Sequence, residues 1–410
     1  MKILALNCGS STVKHQLFET SPELIAENRD RVIARGSVDR IGKPRATVRF
    51  AAEGGEEWKS EAEIPDHRTA VEAALDCLAD PERGVLGSIE EIDGVGHRVV
   101  HGGEYYSDSV LIDEEVAARI EECVALAPLH NPHNLQGYLA VRAALPGRPQ
   151  AAVFDTAFHQ SVPREAYLFG LPYELYEKQR IRRYGFHGSS HRYVSERLAR
   201  LLGRDTKDVK SVICHLGSGS SACAVDGGRS VETSMGFTPL DGLMMGTRPG
   251  QIDPGVLLHL MATQDVPVEE MTGMLNERSG LLGISGLSND MRTLVREAGN
   301  GNRRAQLAID VFCYRVKKYI GTLYAVLNGA DAIVFTGGIG ENQALIRAKC
   351  CEKLEALGVV IDAKRNEAAR GVESRISADG AGTEVWAVPT NEELLIARET
   401  VRVMGMAGGE

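Results

Sequence analysis

The sequence predicts an α/β protein built from two similar units, and three observations carry that expectation. Short apolar runs alternate with longer segments of helical period along all 410 residues. A strand, Gly/Ser turn, strand pattern occurs at Gly9-Ser10-Ser11 and again at Gly219-Ser220-Ser221, about half a chain later. The composition is 43% hydrophobic and 25% charged, with 44 Gly and 15 Pro, which excludes a disordered, collagenous or low-complexity chain. Short apolar hairpins also recur by chance, so duplication and coincidence both stay open on the pattern alone.

The elements follow in order. An apolar run over residues 3–7 breaks at Cys8-Gly9-Ser10-Ser11-Thr12 and resumes over 13–18, which reads as strand, turn, strand. A meander is expected over 31–41, 46–52 and, after a Glu-Gly-Gly-Glu turn, 58–64. Val71, Ala74, Leu75 and Leu78 lie at helical spacing behind the start signal Pro65-Asp66, and further helices are expected over 113–126 and 135–145. Residues 151–154 form a buried strand that ends at Asp155. Strands over 211–214 and 222–225 flank the second Gly/Ser turn. A long helix over 305–327, a strand over 332–335, a glycine cluster over 336–342 and a periodic segment over 343–357 follow. The chain closes with a strand over 384–388 and a helix opened by Asn391-Glu392-Glu393. No linker-like stretch separates these parts, so domain boundaries must come from the repeat.

Composition narrows the function. Forty-six basic against 56 acidic residues give a net charge of −10, which argues against a nucleic-acid binder. No run approaches the roughly 18 apolar residues of a membrane span, and the apolar N-terminus is too short for a signal-peptide core. Eight cysteines are scattered without metal-like spacing and read as reduced thiols of a cytoplasmic protein.

Three Gly/Ser-rich segments each leave a strand, and backbone N–H groups can crowd a phosphate only where side chains are minimal. None matches GxxxxGK[ST], and residues 336–340 contain GGIG, not GxGxxG. One such loop is commonly just a tight turn; three, with Lys14 beyond the first, favour a nucleotide cleft between two halves. Arg98 and Arg248 sit in glycine-rich surroundings, where their planar forks suit carboxylate or phosphate, or where their stems merely snorkel. Asp155, at the end of a buried strand, is either functional or a helix cap. His130, His159, His187 and His191 are structural or catalytic, with no zinc spacing, and His187 in Phe186-His187-Gly188 stands out. Asn7 and Glu392 suit Mg²⁺ partly through waters, although Glu at a helix start is also an ordinary dipole partner.

Taken together, residues 7–14, 96–104, 153–160, 183–188, 214–221, 245–248, 335–342 and 389–394 resemble the acetokinase (acetate kinase) family of the actin/Hsp70/sugar-kinase superfamily, nearly end to end. The resemblance implies duplicated actin-like (ribonuclease H-like) ATPase domains with a nucleotide cleft between them. The first would cover residues 1–155, completed by a C-terminal helix near 390–405; the second, 156–389, would bind nucleotide and form the interface of a homodimer. The implied reaction is ATP + acetate ⇌ ADP + acetyl phosphate, with Mg²⁺ or Mn²⁺.

By motif position, Asn7 and Glu392 would serve the metal, and Lys14 with His215, Leu216, Gly217, Ser218 and Gly219 the nucleotide phosphates. Arg98 would hold the substrate carboxylate, Arg248 and His187 the transition state, and Asp155 would match the family's catalytic acid. With a substrate already ionised, Asp155 is better read as organising Mg²⁺ or Arg98 than as a proton acceptor. Val100, Leu129, Phe186 and Pro239 would surround the acetate methyl group. Asp290, Met291 and Arg292, with Gly338, Ile339, Gly340, Glu341 and Asn342, would take the adenosine; Met291 alternatively faces the core. The chain departs from the family pattern with Ser218 for Asn, Pro249 for Ser, Gln251 for Asp, and Met291 for an aromatic. Rival readings are a propionate or other short-chain acyl kinase, a sugar or polyol kinase, and a non-enzymatic chaperone or filament protein of the same fold.

Overall fold

A computed structural model describes residues 1–407. The chain divides into two units, Met1–Phe158 together with the segment from Asn391 on, and His159–Thr390.

In the first unit, β1 (Lys2–Cys8) and β2 (Thr12–Glu19) form an antiparallel hairpin that brings Asn7 opposite Lys14. β3 (Arg31–Asp39), β4 (Ala46–Ala52) and β5 (Trp58–Ala62) extend the meander. β6 (Gly94–Val99) and β8 (Gln150–Phe154) add in parallel beyond β1, with the short β7 (Val110–Leu111) at the edge. Among the described residues the order is β5-β4-β3-β2-β1-β6-β8-β7. Both faces of the central strands are covered, which is why they read as continuous apolar runs. Leu4, Leu6, Val13 and Leu17 share a core with the helices His67–Leu78 and Asn131–Ala144. Ile3, Ala5 and Phe18 pack on the other face against Ile396, Ala397 and Val401 of the helix Glu392–Ala407.

The second unit repeats this topology. β9 (Lys210–Leu216), β10 (Ser220–Asp226) and β11 (Arg229–Thr233) form an antiparallel meander. β12 (Ala332–Thr336) and β14 (Glu384–Ala387) add in parallel beyond β9, and β13 (Ser374–Arg375) closes the edge. The order β11-β10-β9-β12-β14 matches β3-β2-β1-β6-β8 strand for strand and direction for direction. The two Gly-Ser-Ser turns therefore occupy equivalent hairpins, and duplication, not coincidence, explains them.

Several boundaries move for local reasons. The helix expected from 135 begins at Asn131, because Pro132 is preorganised for a first helical turn. The helix over 113–126 runs only over Glu114–Glu122 before tightening into a 3₁₀ turn. The segment 343–357 breaks into Ala344–Cys351 and a 3₁₀ turn at Glu355–Leu357. The glycine cluster after β12 is not an open loop but the short helix Gly337–Asn342. Gly337 makes that turn possible with φ +73°, lying so close to β9 that a Cβ would be 2.8 Å from the Leu216 carbonyl oxygen. No helix among the described residues is long and apolar enough to cross a membrane.

Candidate active site

Each unit gathers its own set of the expected residues at the carboxyl ends of its parallel strands, where open α/β sheets place their ligands. In the first unit, β6 ends at Arg98 and Val99 while its neighbour β8 delivers Asp155 one residue past its end. Arg98 Nε donates to Asp155 Oδ1 at 3.0 Å and Nη2 to Oδ2 at 2.6 Å, while Nη1 reaches Asn7 Oδ1 at 3.3 Å. Asp155 is 1% exposed, so its charge depends on that fork; it is a partner of Arg98, not a helix cap. Burial works against the arginine's charge, but Asp155 overcomes it and holds the guanidinium pKa above its ordinary value.

Glu392 opens the last helix nearby, and Arg98, Asp155, Glu393 and Lys14 all act on it electrostatically. Desolvation pushes its carboxyl up to about 7, only partly opposed by Arg98. Asn7 and Glu392 thus offer hard oxygen donors beside an Asp155 already held by Arg98. That suits Mg²⁺, which takes one or two carboxylates and keeps several waters. Lys14 is exposed on β2. Val100 is buried next to this cluster in sequence, whereas Leu129 is 61% exposed.

Sequence reasoning missed the residue that ties the first Gly/Ser turn to β6. Asn134 accepts from the Val100 backbone N–H at 3.0 Å and donates to the Cys8 carbonyl at 2.8 Å. Asn131 does the same for His101, accepting from its N–H and donating to its carbonyl. Two buried asparagines three residues apart at a helix start were the available signal.

In the second unit, His187 precedes the helix Gly188–Leu201 in a left-handed conformation, φ +58°. A non-glycine residue there is strained and is often functional. Its ring faces the β9–β10 turn: a Cβ on Gly219 would lie 3.4 Å from Cε1 and Nε2. His187 Nδ1 contacts Ser221 Oγ at 2.9 Å, and His191 Nε2 contacts the same oxygen at 2.8 Å. His215, at the end of β9, stacks obliquely on His187 with centroids 4.3 Å apart and meets Ser190 Oγ at 2.7 Å. His159 is buried against Ser230 and the Phe186 carbonyl, as a structural histidine.

Arg248 donates to the Pro239 carbonyl at 3.0 Å and has no acidic partner among the described residues. Desolvation lowers its pKa, so this half-buried charge calls for an anion. A cavity of about 690 Å³ is lined by Gly217, Ser218, Asn289, Asp290, Met291, Arg292, Gly338, Ile339, Asn342 and Gln343. It thus brings together three segments far apart in sequence, beside the buried Leu216 of β9. Met291 is both wall and core: it is 2% exposed and packs among the buried residues of this unit. Arg292 pairs with Asp290 at 2.8 Å and is largely exposed.

Gly340 and Glu341 are not among the residues that line this cavity. Gly340 packs on the Phe335 backbone, and Glu341 accepts from the Thr390 N–H at 3.1 Å. Both their carbonyls are held by Arg347 Nη1, at 2.8 and 3.0 Å. Fully buried Arg347, which the sequence did not single out, also binds Asn366 and the Ala369 carbonyl and so fixes the whole turn.

The Acetokinase family model matches residues 2–398, the span that holds every candidate site residue. The chain belongs to the acetokinase family. It is 52% identical over 405 residues to acetate kinase of Caldicellulosiruptor saccharolyticus, covering 98% of this chain and 100% of that one. A crystal structure of Porphyromonas gingivalis acetate kinase matches 98% of this chain and 99% of its own, at 46% identity and TM-score 0.93. A propionate kinase from Francisella tularensis matches 97% and 98% at 41% identity and TM-score 0.89. Acetokinase membership thus extends over both units.

Proposed function

We propose that this acetokinase-family chain transfers the terminal phosphoryl group of ATP to acetate, giving ADP and acetyl phosphate reversibly. The observation that carries the proposal is a full-length match, at 52% identity, to a protein named acetate kinase. The residues suit the chemistry. An acetate oxygen attacks the terminal phosphorus as the bond to the bridging oxygen of ADP breaks. A carboxylate with a pKa of about 4–5 is already ionised, so no base is required. Asp155 is committed to Arg98 and acts by holding that guanidinium in place.

The difficulty is instead to bring two anions together and to stabilise charge on the transferring group. Arg98 would orient the acetate carboxylate, with Val100, Leu129, Phe186 and Pro239 around its methyl group. Arg248 and His187 would donate to the phosphoryl oxygens. Lys14 and residues 215–219 would hold the nucleotide phosphates, with the purine in the 690 Å³ cavity against Met291 and Ile339. Asn7 and Glu392, with Asp155 behind them, would hold Mg²⁺. When bound, that ion would supply positive charge to offset the phosphate oxygens.

We further propose a cytoplasmic homodimer. The helix Pro254–Gln264 is apolar but has no buried residue, with Val256, Leu258 and Met261 exposed, which fits a second copy as its cover. Eight free cysteines suit a reducing compartment. The function is tested by ADP formation with acetate, propionate, butyrate and glycerol. Acetate should give the highest kcat/KM; a higher value for propionate would make the chain a propionate kinase, and turnover of glycerol alone would overturn the reading. Light scattering should give twice the chain mass.

A further inference from the structure

Ser221 Oγ is shared by two imidazoles, His187 Nδ1 at 2.9 Å and His191 Nε2 at 2.8 Å. The hydroxyl owns one proton, so the two contacts constrain one another. If His191 donates from Nε2, Ser221 donates to His187 Nδ1 and the His187 proton sits on Nε2. If the direction is reversed, His187 donates from Nδ1, Ser221 donates to His191 Nε2, and the His191 proton is forced onto its own Nδ1. If both rings donate, the Ser221 proton is left with no acceptor.

The environment of His191 decides between these. His191 is fully buried and its Nδ1 has no hydrogen-bond partner. An orphaned lone pair there is tolerable, whereas an orphaned buried N–H is rare and costly. Burial and the neighbouring rings of His159 and His215, at 5.6 and 6.4 Å between centroids, also keep His191 neutral. The first arrangement is therefore the one that orphans no donor on the buried His191 and Ser221.

We propose that His191 and Ser221 form a positioning pair that sets the tautomer of His187, holding its proton on Nε2 so that this N–H faces the phosphate turn at Gly217–Gly219. His187 then donates to a phosphoryl oxygen as a neutral ring, without first being protonated. The proposal deepens the kinase reading and rests on it for the consequence, though not for the tautomer itself.

Long-range ¹H–¹⁵N spectra of the full-length, ¹⁵N-histidine-labelled protein test it, with the His187 signals assigned by their loss in His187→Gln. The expected result is a protonated Nε2 on His187 in the ligand-free protein. Ser221→Ala should introduce the Nδ1–H form and lower kcat by roughly 10–100-fold, with both KM values nearly unchanged. Ser221→Thr, which keeps the hydroxyl, should restore the tautomer and most of kcat. A protonated Nδ1 on His187 in the unmodified protein would overturn the proposal, as would a Ser221→Ala protein with unchanged tautomer. Near-normal turnover in His187→Gln would instead sink the catalytic role of His187 while leaving the tautomer result standing.

Discussion

Arg98 and Asp155 form a two-pronged ion pair, with the arginine Nε and Nη2 donating to the two oxygens of one buried carboxylate at 3.0 and 2.6 Å. The two residues lie 57 positions apart, Arg98 on β6 and Asp155 one residue past the end of the parallel β8, whose register sets Arg98 against Val153. Removing either partner strands the other charge, and breaking a buried pair this way typically costs about 3–5 kcal/mol. Arg98→Leu is therefore expected to lose stability as well as turnover. The combination with Asp155→Leu should be more stable than the sum of the two single losses predicts, yet remain inactive. Urea melts and kcat for the four proteins check this; additive stability losses would mean that the pair is not coupled.

Arg248 should behave differently. Its side chain makes one hydrogen bond, to the Pro239 carbonyl, and no ion pair among the described residues. Arg248→Leu is expected to melt within a few degrees of the unmodified protein and to lose turnover by at least about a hundredfold, the scale of removing a charge-stabilising donor. Turnover within tenfold of normal would remove Arg248 from the reaction.

Chelation with EDTA should abolish phosphoryl transfer, and Mg²⁺ or Mn²⁺ should restore it. Asn7→Ala and Glu392→Gln are each expected to raise the Mg²⁺ concentration at half-maximal rate about 10-fold or more. An unchanged Mg²⁺ requirement in both variants would place the metal elsewhere.

His15 gives a stability prediction outside the site. It is buried, neither ring nitrogen has a hydrogen-bond partner, and desolvation lowers its pKa from 6.5 to about 4. His97 and His159 are lowered to about 4 as well. Below pH 6.5 the unfolded chain binds protons that the folded chain refuses until about pH 4. The contribution of these groups is thus complete above pH 6.5 and is lost progressively as the pH falls toward 4. His15→Leu removes one of them without losing a hydrogen bond. It should leave the neutral-pH melting temperature equal or higher and flatten the acid limb by about one proton. A wild-type acid slope would show that His15 has a partner.

Arg347 should be among the most sensitive positions of the second unit. Arg347→Leu takes the guanidinium donor from the carbonyls of Gly340, Asn366 and Ala369, at about 1–3 kcal/mol for each buried group left unsatisfied, and leaves Glu341's carbonyl only the Gly371 N–H at 3.3 Å. Thermal unfolding should show a loss of several degrees, and KM for ATP should rise because the helix Gly337–Asn342 is no longer held. A KM for ATP that does not change would separate that turn from nucleotide binding.

The sequence by itself determined most of the elements and raised the duplication, which the matching strand orders then decided. Strand periodicity, the paired Gly-Ser-Ser turns, Asp66 as a helix starter and the apolar runs of β1 and β9 are local signals, because backbone sterics and burial act within a few residues. Family likeness added the roles proposed for Arg98, Asp155, His187 and Arg248. What the tertiary structure decided were relations between residues far apart. Asp155 turned out to be bound to Arg98, Asn134 to bridge two strand ends, Arg347 to hold a turn, and Met291 to be core and cavity wall at once. A side chain's partners depend on which strands and helices pack against it, and no spacing along the chain encodes that. The glycine cluster after β12 shows the same limit. Its composition announces freedom to turn, but only the approach of Leu216 made that turn a helix with Gly337 pressed against β9.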